Sequence, residues 1–556
     1  MTTEDTRLQA CGHRPWRTRA VVVLATLAVV ASACSSDVHW ESQNDPPVID
    51  SVTVTENPNS TISAVLNVTT DVPAVAIVIV TGPERQFTIA SPDEPGTDVT
   101  IPVVGMRPET TYELSVTAVA EGGSNPSVAK TESFTTGALP ADFPPLELVT
   151  SDPERMEPGF TLFDANGPAP EGKTTGGTGF AIAVDTEGIP VWYYRYEGGV
   201  GDVRQLENGD YLMGIGLDRA RVVDPLGNVL EEYDARTAVA DAESGKKDPL
   251  PEDGIEVDTD SLHHEVGLLP NGNIISLSTK VLDLGPYEDP PCNDGTDVDG
   301  VYRVVDDIVV EVERETGEIV RQFAISDMID PASDLHKWVC SVSIGGLADA
   351  LYDLAGLREW MHANAVIYDE DRNALIVSNR ESDLILAIRY EDDENGPAGE
   401  LLWSFGPEGD VELESGEFMY HQHAPQLLPD GTFMFFDNGN DRPGHEDDPY
   451  SRAVRFEIDD SDPDNVVARQ VWEFKPMLRG EYAYSFFVGD ADMLPNGNVL
   501  VSSGGIIAPG RSDRPIYEVV PDDDDEGGEV VWQLIVVDTD GLYRAERVET
   551  LTPWDS

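Results

Sequence analysis

Histidines are scarce in this chain, and three of the nine occupy one equivalent position of a repeated sequence pattern. Each copy has an apolar run, a tight turn such as LPNG or LPDG, and a second apolar run. Six residues before the turn's proline or its counterpart, the copies carry Gly201, His264, His362, His423 and Gly489. An imidazole can act as nucleophile, general acid or base, or metal ligand. Three at one repeat position predict a shared functional site, whereas a lone histidine is more often structural.

Polar residues beside these histidines extend the candidate site. Asn364 lies two residues after His362, on the same side of an extended strand. Arg380 follows the next hairpin, within SNRES, which brings it to the neighbouring strand near the same end. Its planar guanidinium can bind an oxyanion through paired hydrogen bonds. The alternative role for Arg380 is a surface salt bridge. His263 precedes His264 and is predicted to support the site and, like Asn364, to contribute to substrate binding.

A second repeated unit predicts the architecture that positions these residues. It has an apolar strand, an acidic or glycine-containing turn, and a strand with an aromatic residue. Copies occur at residues 180–194, 221–234, 309–323, 385–405, 454–474 and 516–534. Four-stranded units repeated radially form a β-propeller, which leaves no long exposed sheet edge. We therefore predict an all-β fold with a six-bladed β-propeller over residues 145–556, whose innermost strands line a central channel. The C-terminal run LYRAERVETL is expected to close the ring.

The region before the propeller has a different pattern. Short β-rich runs separated by turn residues fill residues 46–140 and predict a small β-sandwich. The stretch GMRPETTYELSVTAV resembles a fibronectin type III strand pair with its tyrosine. The region has no constellation of catalytic residue types, so the chemistry is assigned to the propeller.

Residues 1–33 have the pattern of a secretory signal peptide. Arg14, Arg17 and Arg19 precede a short apolar stretch, AVVVLATLAVVASA, that ends in small residues. That stretch is short for a transmembrane helix. Cys34 follows immediately, as at a bacterial lipoprotein processing site, and residues 34–45 are interpreted as a tether. These features predict an exported bacterial protein, periplasmic or at the cell surface, with a lipid anchor on Cys34.

Charge and cysteine content narrow the class of protein further. The 556 residues include 104 acidic and 35 basic ones, a formal net charge of −69. Such a charge is repelled by nucleic acid and by an anionic membrane surface, which argues against both as partners.

Once Cys11 is removed with the signal, Cys292 and Cys340 remain besides Cys34. Two cysteines in an exported protein suggest one disulfide between them.

Three segments of the chain together resemble one enzyme family. The runs LHHEV…LPNGN, WMHAN…SNRES and QHA…DNGN agree in order and internal spacing with the bacterial aryl-sulfate sulfotransferases, which do not use phosphoadenosine phosphosulfate. The resemblance covers most of the chain from about residue 45. It implies a six-bladed propeller after an N-terminal β-sandwich. The chain departs from the family pattern in having HQH where only the second histidine is expected, and in lacking the expected nearby disulfide pattern.

The resemblance also implies roles for the aligned residues. His423 would be the nucleophile that carries the sulfuryl group, and His264, His362, Asn364 and Arg380 would surround the sulfate oxygens and the phenolic oxygen. The implied reaction moves a sulfuryl group from an aryl sulfate to a phenolic acceptor by ping-pong kinetics, without a cofactor or metal. Two alternatives stay open at this point. One is a ligand-binding or scaffolding propeller, and the other is a metal-dependent enzyme with a tris-histidine site in the channel.

Overall fold

The computed structural model describes residues 45–91, 94–167, 177–235, 253–286, 301–331, 351–352, 357–506, 512–522 and 527–552. The signal segment, Cys34, Cys292 and Cys340 lie outside these residues, so the inferences about them stay predictions. A short 3-10 helix, Ile325–Asp327, interrupts the strands. Within the described ranges, no helix has the length and apolar character needed to cross a membrane.

The N-terminal region is one strand group with a core of its own. Its strands are β1 (Ile49–Asn57), β2 (Ser60–Thr81), β3 (Gln86–Ala90), β4 (Gly96–Val103), β5 (Thr111–Ala120) and β6 (Lys130–Thr135). Two apolar runs, which lie on either side of Pro73 in the sequence, form the single strand β2. Its first half pairs with β1 and β4, and its second half pairs with β5 and β3. The exchange of partners falls at Pro73, which has no N–H to give to a ladder. The fibronectin type III likeness of this region stays a prediction.

The strands from residue 146 onward make up the rest of the fold. Their bounds in chain order are β7 (Leu146–Ser151), β8 (Phe160–Asn166), β9 (Gly179–Val184), β10 (Pro190–Tyr196), β11 (Val200–Gln205), β12 (Tyr211–Ile215), β13 (Arg219–Val223), β14 (Val229–Ala235), β15 (Ile255–Val257), β16 (His263–Leu268), β17 (Ile274–Leu284), β18 (Tyr302–Val312), β19 (Ile319–Ala324), β20 (Leu357–Glu359), β21 (Ala363–Asp369), β22 (Ala374–Asn379), β23 (Leu384–Arg389), β24 (Leu401–Phe405), β25 (Glu412–Ser415), β26 (His423–Leu427), β27 (Phe433–Asp437), β28 (Arg452–Asp459), β29 (Val467–Phe474), β30 (Met477–Leu478), β31 (Glu481–Tyr482), β32 (Asp490–Met493), β33 (Val499–Ser502), β34 (Arg514–Pro521), β35 (Gly528–Val536) and β36 (Ala545–Val548).

Six antiparallel sheets form the blades of a propeller. From the inside outward they are β36-β8-β9-β10, β11-β12-β13-β14, β16-β17-β18-β19, β21-β22-β23-β24, β26-β27-β28-β29 and β32-β33-β34-β35-β7. The two repeated units of the sequence correspond to the inner and outer strand pairs, so the predicted six-bladed all-β fold is confirmed. The short strands β15, β20 and β25 add parallel pairings that the repeats do not reveal.

The ring is closed by both ends of the propeller segment. The strand β36, within LYRAERVETL, becomes the innermost strand of the first blade by pairing with β8, as predicted. The strand β7 becomes the outermost strand of the last blade by pairing with β35. Between these two blades, Leu534 and Trp532 pack in one buried cluster with Phe163 and Phe180. A similar apolar cluster fills each of the other blade junctions. Burial of these clusters holds each blade against its neighbours.

Candidate active site

The three aligned histidines all lie where an innermost strand begins. His264 is the second residue of β16, His362 immediately precedes β21, and His423 is the first residue of β26. The innermost strands of successive blades contact one another around the ring. The imidazole rings of His264 and His362 meet edge to face, with centroids 5.1 Å apart. His264 and His362 are about 100 residues apart in sequence. Their equivalent positions in the repeat bring them together at one end of the channel.

Local irregularities in these strands turn the side chains toward one another. The pairing register shifts in β16 between His263 and Val266, and in β26 between His423 and Gln426. His264 and His362 have φ values of 59° and 51°, in the left-handed region that side chains seldom occupy. A β-bulge leaves one residue outside the ladder and re-aims its side chain. The histidines are therefore placed by bulged strand starts rather than by a regular pleat.

His423 is held as one tautomer. Its Nδ1 lies 2.6 Å from Asn438 Oδ1 and 3.2 Å from the His421 carbonyl oxygen, and both are acceptors. The Asn438 amide donates to the carbonyls of Ser485 and Val488, which fixes Oδ1 toward the ring. The Nδ1 atom must therefore carry the proton. The other nitrogen, Nε2, is unprotonated and accepts one long hydrogen bond, from the Val488 N–H at 3.3 Å.

Burial also keeps His423 neutral. Its side chain is almost fully enclosed, and burial, followed by the charge of Arg380, lowers the pKa of His423 well below its usual value of 6.5. A neutral imidazole with an unprotonated Nε2 has the proton state that a histidine nucleophile needs. Sequence reasoning missed Asn438, although the DNGN run that contains it directly follows the strand opposite His423.

His264 is paired with its neighbour in the chain. The Nδ1 atoms of His263 and His264 lie 2.7 Å apart, so one of them carries a proton and the other accepts it. Burial, followed by the neighbouring imidazoles, lowers the pKa of His264 well below 6.5. Burial also lowers the pKa of His263 to about 3. His263 lies beside His264, and its role in support of the site and in substrate binding stays a prediction.

His362 has a different partner, which the sequence did not reveal. Its Nδ1–H donates to Glu359 Oε2 at 2.9 Å, and the Glu359 side chain is only 6% exposed. Burial lowers the pKa of His362, but the charge and hydrogen bond of Glu359 outweigh it, and the net shift is upward. His362 is thus the aligned histidine that is favoured to hold a second proton.

The other two predicted site residues also lie at this end of the channel. Arg380 is close enough to lower the pKa of both His362 and His423. Its guanidinium contacts Glu381 and donates to the Phe486 carbonyl at 3.1 Å, while its Nε has no hydrogen-bond partner. Asn364 is fully buried and donates one amide hydrogen to the Gln422 carbonyl at 2.7 Å. Its Oδ1 has no hydrogen-bond partner within the described part of the chain.

An aromatic residue from the closing segment borders the site. The ring centroid of Tyr543 lies 5.9 Å from that of His264, and its hydroxyl donates to the Asn364 carbonyl at 2.8 Å. Below it, the Arg544 guanidinium pairs with Glu265 and, at 3.3 Å, with Asp202. These buried ion pairs join the inner strands of three blades. The sequence repeats predicted the segment as a closing strand but not this contact.

Metal-ligand spacing occurs once among the residues that the structure describes. Glu359, His362 and Glu381 offer ligand atoms within 4.8 Å of one another. The set includes neither His264 nor His423. The tris-histidine alternative therefore does not correspond to the group that has metal-ligand spacing. The Glu381 carboxylate contacts Arg380, and a guanidinium there would repel a divalent cation. The donor set therefore fits ion pairs around His362 better than a metal ion.

Comparison with known proteins agrees with this geometry. Residues 146–544 match the family described as arylsulfotransferase (ASST). The chain is similar to the arylsulfate sulfotransferase AssT of Escherichia coli, with 26% identity over 398 residues, which cover 60% of this chain and 60% of that protein. It is also similar to AssT of Lelliottia amnigena, with 23% identity over 34% of this chain and 37% of that one.

The match to the Escherichia coli protein thus spans about 60% of that relative's length. Among solved structures, the periplasmic gluconolactonase PpgL of Pseudomonas aeruginosa overlays with a TM-score of 0.33 at 12% identity, covering 70% of this chain and 99% of that one. An overlay this loose carries no argument about function. The family match covers the strands from β7 to β35 and all the aligned histidines. On this ground the chain belongs to the arylsulfotransferase family.

Proposed function

We propose that this protein is an aryl-sulfate sulfotransferase. It takes a sulfuryl group from a phenolic sulfate ester, holds it on His423 as a sulfohistidine, and passes it to a phenolic acceptor by ping-pong kinetics. The observation that carries the proposal is the state of His423, a buried neutral imidazole whose Nδ1–H is bound by Asn438 and whose Nε2 keeps its lone pair. That nitrogen is the reacting atom of a histidine nucleophile.

The first half-reaction forms one bond and breaks one bond. The His423 Nε2 lone pair attacks sulfur in line, the N–S bond forms, and the S–O bond to the phenol breaks. Negative charge that develops on the sulfuryl oxygens is stabilised by Arg380. The Val488 N–H, which donates to Nε2 at 3.3 Å before the reaction, is released for a sulfuryl oxygen when the Nε2 lone pair forms the N–S bond. The remaining amide hydrogen of Asn364 is a further donor. The departing phenolate takes a proton from one of the neighbouring histidines.

The second half-reaction runs in the opposite direction with a new phenol. The acceptor hydroxyl gives its proton to the same histidine, its oxygen attacks sulfur, and the N–S bond breaks. His423 is then restored with its lone pair. None of these steps calls for a cofactor. The signal-peptide pattern and Cys34 support the further proposal that the enzyme is exported and lipid-anchored.

The test compares two histidine variants. We expect His423→Ala to abolish sulfate exchange between an aryl sulfate and a phenol while the circular dichroism spectrum stays that of the folded chain. The matched control is His445→Ala, because His445 packs edge-on against Tyr450 outside the aligned positions and is expected to leave turnover unchanged. Full turnover in His423→Ala would refute the proposal. Wild-type protein that binds aryl sulfates without turning them over would favour a binding propeller instead.

A further inference from the structure

Two histidines compete for the role of proton donor to the leaving phenolate. His264 and His362 stand beside the nucleophile with their rings 5.1 Å apart. Two positive charges so close together would repel strongly in a buried site. Only one of the two imidazoles can therefore hold a second proton at a time, and the surroundings decide which.

The two imidazoles have unlike partners. His362 Nδ1 lies 2.9 Å from a carboxylate oxygen of Glu359, whereas His264 Nδ1 lies 2.7 Å from another imidazole, that of His263. A carboxylate stabilises an imidazolium through both charge and hydrogen bond, and a neutral imidazole gives only the hydrogen bond. The asymmetry favours the positive charge on His362.

Glu359 is fixed by the fold rather than free to turn away. It ends the short strand β20, which pairs in parallel with β18, with Glu359 opposite Val305. Its side chain is 6% exposed. Since β18 is a central strand of the preceding blade, the carboxylate is anchored on one blade while His362 belongs to the next. The pair therefore spans a blade junction.

We propose that Glu359 is the positioning residue that makes His362, and not His264, the acid–base group of the transfer. This inference rests on the proposed function and deepens it. In the first half-reaction the proton moves from His362 Nε2 to the phenolate oxygen as the S–O bond breaks, which leaves a neutral ring whose Nδ1–H stays bound to Glu359. In the second half-reaction the acceptor phenol returns a proton to Nε2. Proton number is thus balanced over one cycle.

The other groups that act on His362 do not cancel this effect. Arg380 opposes a positive charge on the ring and Glu381 favours it. Those two side chains contact each other. Their opposite charges therefore largely offset each other at the His362 ring. The ring also faces His264, and the buried residues His263 and Asp307 feel its charge.

The discriminating experiment uses Glu359→Gln and a series of aryl sulfates with phenols of rising pKa. The rate of adduct formation on His423 is measured in single turnovers. Protonation matters most when the leaving phenolate is a strong base. We therefore expect Glu359→Gln to slow unsubstituted phenyl sulfate by about 10²-fold or more and to change 4-nitrophenyl sulfate little. A merely structural role would slow every donor by the same factor.

Two further variants make the test specific. Glu231→Gln is the matched control, since Glu231 binds Arg314 between other blades and is expected to leave the series unchanged. In a His362→Gln background, adding Glu359→Gln is expected to slow adduct formation little further. Both substitutions disable the same proton-transfer pair, so their effects on the rate do not add. Should Glu359→Gln not fold, Glu359→Asp keeps the charge but withdraws it from Nδ1, and is expected to give an intermediate dependence on the leaving group.

Each outcome decides between the proposals. If the wild type forms the His423 adduct but Glu359→Gln keeps the wild-type dependence on leaving-group pKa, the inference about Glu359 is wrong and the proposed function stands. The same holds if only His264→Gln shows the selective loss. If the wild type forms no adduct with any donor, both the proposed function and this inference are overturned.

Discussion

At the scale of single residues, the site works by giving different proton states to chemically identical side chains. His423 is buried beside Arg380 and is therefore neutral, while His362 is buried beside Glu359 and therefore tends to be charged. His264, which faces other imidazoles, is neutral. Pushing the pKa values of neighbouring groups apart is how one site supplies a nucleophile and an acid at the same pH.

The pH dependence of the first half-reaction follows from these shifts. Protonation of His423 removes the nucleophile, and since its pKa lies well below 6.5 the rate should fall only in acid. Loss of the second proton from His362 removes the acid, and since its pKa is raised above 6.5 the rate should fall on the alkaline side of that value. We expect single-turnover rates of phenyl sulfate to be level between an acid limb that lies well below pH 6.5 and an alkaline limb that lies above it. An acid limb centred at or above 6.5 would contradict the assignment of His423.

How far the site could be predicted depends on the kind of signal. His264, His362 and His423 share a repeat position, so the sequence placed them together. Glu359 lies on a strand too short to leave a pattern, and its pairing with β18 joins segments about 50 residues apart. The N–H of Val488 is a backbone group, and the position of a backbone donor cannot be predicted from the residue type. What the sequence could not supply is therefore long-range pairing and backbone geometry.

At the scale of elements, the bulged starts of the inner strands hold the site and the blade junctions hold the strands. The repeats predicted the six blades because turn and strand periodicity is local. They did not predict β15, β20 and β25, each of which pairs in parallel across a long connection. In the N-terminal region, the sequence pattern separates the two halves of β2 at Pro73, whereas the structure has one continuous strand there.

The closure of the ring can be tested with a pair of leucines. Leu534 on β35 is opposite Leu148 on β7, but Leu534 is fully buried in the junction between the last and first blades, whereas Leu148 is 39% exposed. We expect Leu534→Ala to lower the free energy of unfolding by about 2–5 kcal/mol. Leu148→Ala should change it by about 0.5 kcal/mol or less. Equal effects in chemical denaturation would show that the junction is not a packed core.

At the scale of the whole molecule, the aligned histidines come from different blades, and the closed ring holds those blades together. His264, His362 and His423 each begin the inner strand of a separate blade, and Tyr543 arrives with the segment that closes the ring. A chain with a net charge of −69 offers few cations. Under the proposed function, the enclosed Arg380 is the cation expected to hold the sulfuryl group.

The central claim is that His423 carries the sulfuryl group covalently. The most direct measurement is mass spectrometry of chelator-treated protein after single-turnover mixing with 4-nitrophenyl sulfate. We predict a burst of nitrophenol and a mass gain of one sulfuryl group on the peptide that contains His423, acid-labile and lost when phenol is added. Activity that disappears with the chelator and returns with zinc or copper, with no adduct on any peptide, would contradict the account.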